Sequence, residues 1–172
     1  IDAANGGAVT LTVDTAAISG KSYIVTGTGT NDILSVVTSQ TGSLDLSTLT
    51  VDDADIAVTI DLTSTAGVAN TIVGSNADDT LSNAGAGVIT VDGGAGADSL
   101  TTGSAADIIT AGEGADTIDA NGGADSINLA ETVAAIDTVV LAAGDSTEAA
   151  MDKISGFTTH ASTGDVLNIK IG

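Results

Sequence analysis

Residues 93–128 repeat the same pattern every nine residues. The four units read GGAGADSLT, TGSAADIIT, AGEGADTID and ANGGADSIN. Each has small residues, then an aspartate, then an aliphatic residue two positions later: Asp98, Asp107, Asp116 and Asp125, with Leu100, Ile109, Ile118 and Ile127. A period this short holds one turn and one strand, so the chain is expected to build a stack of small coils.

Each unit divides into a turn and a short strand. Glycine reaches backbone conformations closed to other residues, which suits the first half of the unit to a tight turn. The second half alternates polar and apolar residues, as in Ser99, Leu100 and Thr101. That alternation is typical of a strand with one buried face. Two units therefore form one flattened coil, and stacked coils form a β-roll.

The turns suit a hard cation. A tight turn exposes backbone carbonyls, and a carboxylate that closes the turn adds charged oxygens, which together match the roughly six to eight oxygen ligands of calcium. Because units on one edge alternate, Asp98 is expected to face Asp116, and Asp107 to face Asp125. Carboxylates held this close repel each other unless a cation lies between them. A glycine-rich loop with scattered aspartates is the alternative, which four phased copies disfavour.

The units resemble the G-G-x-G-x-D-x-U-x nonapeptide of the RTX (repeats-in-toxin) calcium-binding family. The resemblance implies an all-β fold, a right-handed parallel β-roll or β-solenoid with several Ca²⁺ ions in its turns, about three to six here. The metal-ligating residues that the pattern predicts are Asp79, Asp98, Asp107, Asp116, Asp125, Gly74, Asn76, Gly94, Gly96, Gly103, Gly112, Gly114, Gly123 and Asp32.

One unit precedes the main array. Residues 74–82 (GSNADDTLS) place Asp79 in the ligand position. The spacing from Asp79 to Asp98 is 98 − 79 = 19, which is two units plus one inserted residue. Asp79 is still expected to face Asp98. On the opposite edge Val88 stands in place of an aspartate, so no calcium site is expected there.

The pattern divides the chain into three regions. Residues 1–64 form a strand-rich segment, either degenerate solenoid coils or a small β-sandwich, and residues 65–128 form the roll. Within the first region, residues 27–35 (GTGTNDILS) match the nonapeptide with Asp32 as a candidate ligand. A tight turn between two strands is the alternative for this isolated copy.

Residues 129–172 are expected to close the array. Residues 147–154 form a candidate helix with Thr147 as its N-cap. The pattern D-x-I-x-x-F at 152–157, followed by G-D-x-L-x-I at 164–169, resembles the segment after RTX arrays in many type I secreted proteins. Phe157, Leu167 and Ile169 are expected to plug the interior of the last coil. A generic amphipathic hairpin is the alternative.

Charge and composition limit the possible partners. The chain has 23 acidic residues and 3 lysines, with no arginine, for a formal net charge of −20. Nucleic acid and anionic membranes attract the opposite charge, so neither is expected as a direct partner. Self-repulsion at this charge opposes compaction in the absence of metal. Aromatic residues are 1% and cysteine is absent, which fits a narrow aliphatic interior without disulfides.

The sequence carries no recognisable catalytic set, and the protein is predicted not to be an enzyme. His160 is the single histidine and is expected in a loop. The carboxylate pairs are better explained as calcium ligands than as a glycosidase acid and nucleophile. The outward strand positions hold mixed residue types, so no flat adhesive or ice-binding ladder is expected.

Calcium binding is expected to be coupled to folding, because ligands spread over successive coils form no site in the unfolded chain. Extracellular calcium modules work at roughly 10⁻⁴–10⁻³ M. RTX proteins are exported unfolded by type I secretion in Gram-negative bacteria, so the resemblance implies a secreted protein at the cell surface. The first hypothesis is a structural protein that self-assembles into a surface layer (S-layer) or extracellular filament. The second is the C-terminal secretion and folding module of a larger secreted enzyme or adhesin.

The expected partners follow from the first hypothesis. Further copies of the chain are expected to associate through calcium-bridged acidic contacts. Cell-surface polysaccharide is a further candidate partner, and membrane insertion is not expected.

Overall fold

The computed structural model describes residues 2–3, 10–14, 23–27, 32–38, 43–51, 56–62, 69–159 and 164–170. These residues form strands and turns without any helix. The strands are β1 Asp2–Ala3, β2 Thr10–Asp14, β3 Tyr23–Gly27, β4 Asp32–Thr38, β5 Ser43–Asp45, β6 Leu49–Val51, β7 Ile56–Leu62, β8 Asn70–Val73, β9 Asp79–Asn83, β10 Ile89–Asp92, β11 Ser99–Thr101, β12 Ile108–Thr110, β13 Thr117–Asp119, β14 Ser126–Asn128, β15 Thr138–Leu141, β16 Lys153–Ser155 and β17 Val166–Ile169.

The strands build two large parallel sheets that face each other. One sheet has eight strands in the order β17-β15-β13-β11-β9-β7-β4-β2, and the other has six in the order β16-β14-β12-β10-β8-β5. From β8 onward, consecutive strands alternate between these sheets, so each coil contains two strands. In the array Leu100 pairs with Ile118, and Ile109 with Ile127, each eighteen residues apart. The predicted parallel β-roll of paired nonapeptides is confirmed.

The N-terminal coils have a third side. Strands β1, β3 and β6 form a separate three-stranded sheet. The succession β3-β4-β5, and then β6-β7-β8, visits the three-, eight- and six-stranded sheets in turn. One coil here takes 58 − 34 = 24 residues, from Leu34 to its partner Val58. The described strands of this region pair in parallel and extend the eight-stranded sheet, and the third side ends where the aspartate-bearing units begin.

The interior consists of two aliphatic columns, one from each large sheet. Each member is at most 2% exposed: Leu81, Leu100, Ile118 and Val139 in one sheet, and Ile72, Val91, Ile109 and Ile127 in the other. One to three aliphatic side chains per strand fill the space between the sheets, so the described core accommodates aliphatic residues and needs no aromatic ring. This is the physical reason for the low aromatic content.

A column of hydroxyl side chains runs along the outer face of the eight-stranded sheet. It contains Thr59, Thr80, Ser99, Thr117 and Thr138, which are paired in register from β7 to β15. All five are exposed or partly exposed. The expectation of mixed outward residues is wrong for this column. The spacings between its members are 21, 19, 18 and 21 residues, and this irregularity conceals the alignment in the sequence.

The C-terminal region differs from the sequence prediction in two ways. Residues 147–150 form a turn in which the Thr147 amide donates to the Ala150 carbonyl at 2.8 Å, and β16 follows, so the predicted helix is wrong. Local helix propensity is a weak preference, and pairing of β16 with β14 overrides it. The predicted plug is also wrong. Leu167 and Ile169 form part of the outermost strand and are 41% and 59% exposed, and Phe157 is 38% exposed.

No helix among the described residues is long and apolar enough to cross a membrane.

Two neighbouring isoleucines on β12 provide a matched test of the core. Ile109 is 0% exposed and Ile108 is 51% exposed. Ile109→Ala is expected to lower the free energy of unfolding by about 2–5 kcal/mol, because it leaves a cavity between the sheets. Ile108→Ala is expected to change it by less than about 0.5 kcal/mol. Chemical denaturation in saturating calcium measures both, and equal losses would contradict this core assignment.

Candidate metal centre

The first edge of the roll carries a ladder of stacked aspartates: Asp79, Asp98, Asp116, Asp137 and Asp165. The backbone amide of each of the first four donates to the Oδ1 atom of the aspartate one coil later, at 2.8, 2.8, 3.0 and 3.1 Å. The structure thus brings Asp98 against Asp116, and Asp79 against Asp98, as the sequence predicted. Each of these aspartates comes directly before a strand of the eight-stranded sheet or, in the case of Asp79, begins one.

The second edge carries a shorter ladder that leads into the six-stranded sheet. The Asp107 amide donates to Asp125 Oδ1 at 2.8 Å, and the Asp125 amide donates to Asp152 Oδ1 at 3.0 Å. The residue one coil before Asp107 is Ile89, whose amide donates to Asp107 Oδ1 at 2.9 Å. The assignment of Val88 to that position is wrong by one residue. The inserted residue lies before Ile89, and Val88 is 39% exposed.

The second carboxylate oxygen of these side chains has no partner. Oδ2 is buried and makes no hydrogen bond to the described residues in six aspartates: Asp98, Asp107, Asp116, Asp125, Asp137 and Asp152. Buried polar atoms are nearly always hydrogen-bonded, so a recurring orphan of one type needs an explanation. A bound cation would satisfy all six in the same way. The residues present therefore fit calcium, which takes carboxylate and carbonyl oxygens.

Asp79 has a different environment at the start of its ladder. Its Oδ2 atom accepts a hydrogen bond from the Ser75 amide at 2.6 Å, and its Oδ1 atom accepts one from the Ser75 hydroxyl at 3.2 Å. Both oxygens are thus partly satisfied by the protein. A cation at this turn would have to compete with Ser75.

Burial dominates the electrostatics of both ladders. It raises the pKa of Asp98 to about 8 and that of Asp79 and Asp116 to about 7. It raises the pKa of Asp125 and Asp137 to about 6, and the pKa of Asp107 is also raised. Backbone amide donors act in the opposite direction, and neighbouring carboxylates add to the increase for most of these groups. Without a cation, Asp79, Asp98 and Asp116 therefore resist ionisation near neutral pH.

Glycines let the turns stack at backbone contact. Gly94 and Gly112 lie one coil apart with φ of +99° and +111°, and Gly96 and Gly114 follow with +131° and +124°. The coils join directly at this point, since the Glu113 amide donates to the Gly94 carbonyl at 3.0 Å. A side chain fits neither the backbone conformation nor the space.

The remaining predicted turn residues are placed as follows. Gly74, Gly103 and Gly123 each face a backbone carbonyl of a neighbouring coil and have no room for a side chain. A Cβ atom added to Gly74 would lie 1.9 Å from the carbonyl oxygen of Gly93. The corresponding distances are 2.0 Å from Gly103 to Gly85 and 2.2 Å from Gly123 to Ala105. Asn76 is exposed in the turn before Asp79. Asp32 begins β4 in register with Ile56, and its side chain, like all of His160, lies outside the described residues.

Two glutamates organise the turn at the end of the array. Glu113 accepts hydrogen bonds from the Thr132 amide at 2.8 Å and the Val133 amide at 3.1 Å. Glu131 accepts from the Gly114 amide at 3.3 Å and the Ala135 amide at 2.5 Å. Carboxylate acceptors here hold a turn that lacks the glycines of the earlier units.

Sequence reasoning missed three members of the ladders: Asp137, Asp152 and Asp165. Their spacings from the preceding ladder residues are 21, 27 and 28 instead of 18, because longer loops separate them. A usable signal remains in the sequence, since each is followed two residues later by an aliphatic residue: Val139, Ile154 and Leu167. Within the described part of the chain, no three acidic or histidine side chains converge on one point.

The fold and site together define a parallel β-solenoid whose turns hold stacked, buried carboxylates. The family model of the RTX calcium-binding nonapeptide repeat (4 copies) matches residues 90–128. This segment is an RTX array, and RTX nonapeptide repeats bind calcium. No curated protein and no solved structure matches the chain.

The Asp137 position provides a test of the ladder beyond the matched repeats. Asp137→Asn keeps an oxygen for the Asp116 amide but removes the charge, so the variant is expected to bind one calcium ion fewer. Asp61→Asn is the matched control, because Asp61 is exposed on β7 and outside both ladders. Isothermal titration calorimetry measures the stoichiometry. Unchanged binding by the Asp137 variant would remove this residue from the ligand set.

The raised pKa values predict an unusual pH dependence for the metal-free chain. These carboxyl groups have a higher pKa in the folded chain than the value of 3.8 for the unfolded chain. Their protonated form therefore stabilises the fold fully at low pH, and this stability is lost as the pH rises through the pKa of the folded chain. Thermal melting in EDTA is therefore expected to show falling stability between pH 4 and about 8. In saturating calcium the slope should reverse, because binding requires ionised carboxylates. Asp98→Asn should flatten the metal-free slope.

Proposed function

We propose that this protein is a secreted, calcium-dependent structural protein that folds outside the cell and self-assembles into a bacterial surface layer or extracellular filament. The single observation that supports it best is the pair of aspartate ladders, with their repeated, buried and unpartnered Oδ2 atoms. At neutral pH a chain built this way needs a divalent cation to become compact.

The coupling of folding to calcium has an electrostatic basis. An ionised carboxylate in a buried site is costly unless it is paired with a positive charge. The chain has 3 lysines against 23 acidic residues, so its own cations do not suffice. Calcium at roughly 10⁻⁴–10⁻³ M, the working range of extracellular modules, supplies the missing charge. Proteins with RTX repeats are typically secreted by Gram-negative bacteria, which supports folding after export.

The structural role is supported by the character of the array. RTX repeats are calcium-binding structural units, and calcium binding accounts for the ladder carboxylates. We propose that the principal partners are further copies of the chain, with calcium between acidic surfaces. Cell-surface polysaccharide is the second proposed partner. The outer hydroxyl column from Thr59 to Thr138 supports it, since this column offers hydrogen-bond donors and acceptors in a straight row.

The second candidate function is a C-terminal secretion and folding module of a larger secreted enzyme or adhesin. The observation that favours it is the arrangement of β2 and β17 as the outermost strands of the eight-stranded sheet. A longer polypeptide would continue the sheet at either edge.

A calcium titration separates the two candidates. Circular dichroism is expected to change from a disordered to a β-rich spectrum as calcium rises through the sub-millimolar range, and to revert in excess EGTA. For the structural role, electron microscopy of the saturated sample should show ordered polymers that dissolve in chelator. A calcium-bound monomer at every protein concentration would instead favour the module. Full folding in EGTA at neutral pH would contradict both.

A further inference from the structure

The two ends of the eight-stranded sheet are complementary in direction. Strand β2 lies at one edge and β17 at the other, and every pairing between them is parallel. Neither strand has a second partner among the described strands. A free strand edge presents unpaired amide and carbonyl groups that can bind another strand. A second copy placed end to end, in the same orientation, would continue the sheet without reversing any strand.

The C-terminal end also exposes the interior. Leu167 continues the column that contains Ile118 and Val139, both 0% exposed, yet Leu167 itself is 41% exposed. Ile169, on the same side of β17, is 59% exposed. These residues have the position of core side chains, but no coil among the described residues covers them. A group of exposed apolar residues of this kind is characteristic of a contact surface.

The strand register identifies what would cover this end. The column that ends at Leu167 can be followed through Leu81 and Ile60 to Val36, and then to Val13 on β2. A neighbouring copy that sets its β2 against β17 in the same register would place Val13 on Leu167. The aliphatic column would then pass from one copy into the next without a break.

One pair of opposite charges favours this arrangement, although the C-terminal end also carries Asp152 and Asp165. Two of the three lysines lie at the C-terminal end, with Lys153 in β16 and Lys170 directly after β17. At the other end, β1 begins with Asp2 and β2 finishes with Asp14. In the continued register Asp14 lies beside Asn168, and Lys170 is its diagonal neighbour, within reach of a long side chain.

We propose that the C-terminal end of one copy binds the N-terminal end of a second copy, with β17 pairing in parallel to β2. This inference rests on the proposed self-assembly, and it assigns the end-to-end contact to an apolar strand edge and not to the calcium-bridged acidic surfaces proposed above. The contact joins two different surfaces and leaves one of each free, so it does not close on itself and repeats into a filament. Backbone hydrogen bonds give the affinity, and the Leu167 and Ile169 contacts fix the register.

The first experiment alters the C-terminal end. In calcium, Leu167→Lys is expected to remain monomeric at concentrations where the unaltered chain polymerises, because it places a charge in the buried column. Val133→Lys is the matched control, since Val133 is 74% exposed and lies outside the strands, in the turn that Glu113 holds. Analytical ultracentrifugation measures size, and calcium-induced circular dichroism verifies folding. Ile169→Lys serves the same purpose if Leu167→Lys does not fold.

The second experiment tests the register by cross-linking. The chain contains no cysteine, so a copy with Asp14→Cys mixed with a copy carrying Asn168→Cys can form only introduced disulfides. Adjacent strands lie about 4.8 Å apart, within the range that a disulfide spans. A mixed disulfide dimer is expected under mild oxidation in calcium. Asp61→Cys with Asn168→Cys is the control, because Asp61 occupies the same column in the middle of the sheet.

The outcomes separate the inference from the function on which it rests. Polymers formed by Leu167→Lys and Ile169→Lys as readily as by the unaltered chain would overturn the inference and leave self-assembly intact. Equal cross-linking of the Asp61 control would also overturn it. An unaltered chain that stays monomeric in calcium would overturn the proposed function together with the inference. Loss of polymers in the C-terminal variants, with selective cross-linking at Asp14, supports the inference.

Discussion

The hydrogen bond from one aspartate amide to the carboxylate one coil later organises the entire roll. It fixes one carboxylate oxygen against the backbone and turns the other into the interior of the turn. The Oδ1 atom of Asp98 accepts a hydrogen bond from the Asp79 amide, and that of Asp116 accepts one from the Asp98 amide, each at 2.8 Å. The Oδ2 atoms of Asp98 and Asp116 are buried without a hydrogen-bond partner. The same contact that stacks the coils thus creates the electrostatic problem that a cation resolves.

This arrangement reverses the usual relation between acidic residues and stability. In most proteins acid weakens the fold because carboxylates lose favourable partners. Here burial makes the charged form unfavourable, so protons and calcium ions are alternative ways of neutralising the same oxygens. Asp98 and Asp116, which face each other in the middle of the first ladder, carry two of the largest pKa increases. Whether protons or calcium ions neutralise these carboxylates then depends on the pH and the calcium concentration of the medium.

The sequence predicted the elements that repeat without interruption, and it failed where coil length changes. The four units of residues 93–128 specified the two-strand coil and the facing of Asp98 and Asp116, because a fixed period of nine leaves one register. A single inserted residue shifted Val88 away from the ladder and put Ile89 there. Loops of irregular length concealed the ladder positions of Asp137 and Asp152. They also concealed the column of hydroxyl side chains that contains Thr80. The helix at residues 147–154 failed because long-range pairing of β16 outweighed local preference.

In the array each strand pairs with the strand eighteen residues later, and this short spacing affects how the roll folds. Each strand in the array finds both partners within one coil on either side, so strand pairing joins segments that are one coil apart in the sequence. Such topologies have a low entropic barrier to loop closure, and order can spread from any completed coil to the next. The roll then folds coil by coil, starting from a nucleus of completed coils.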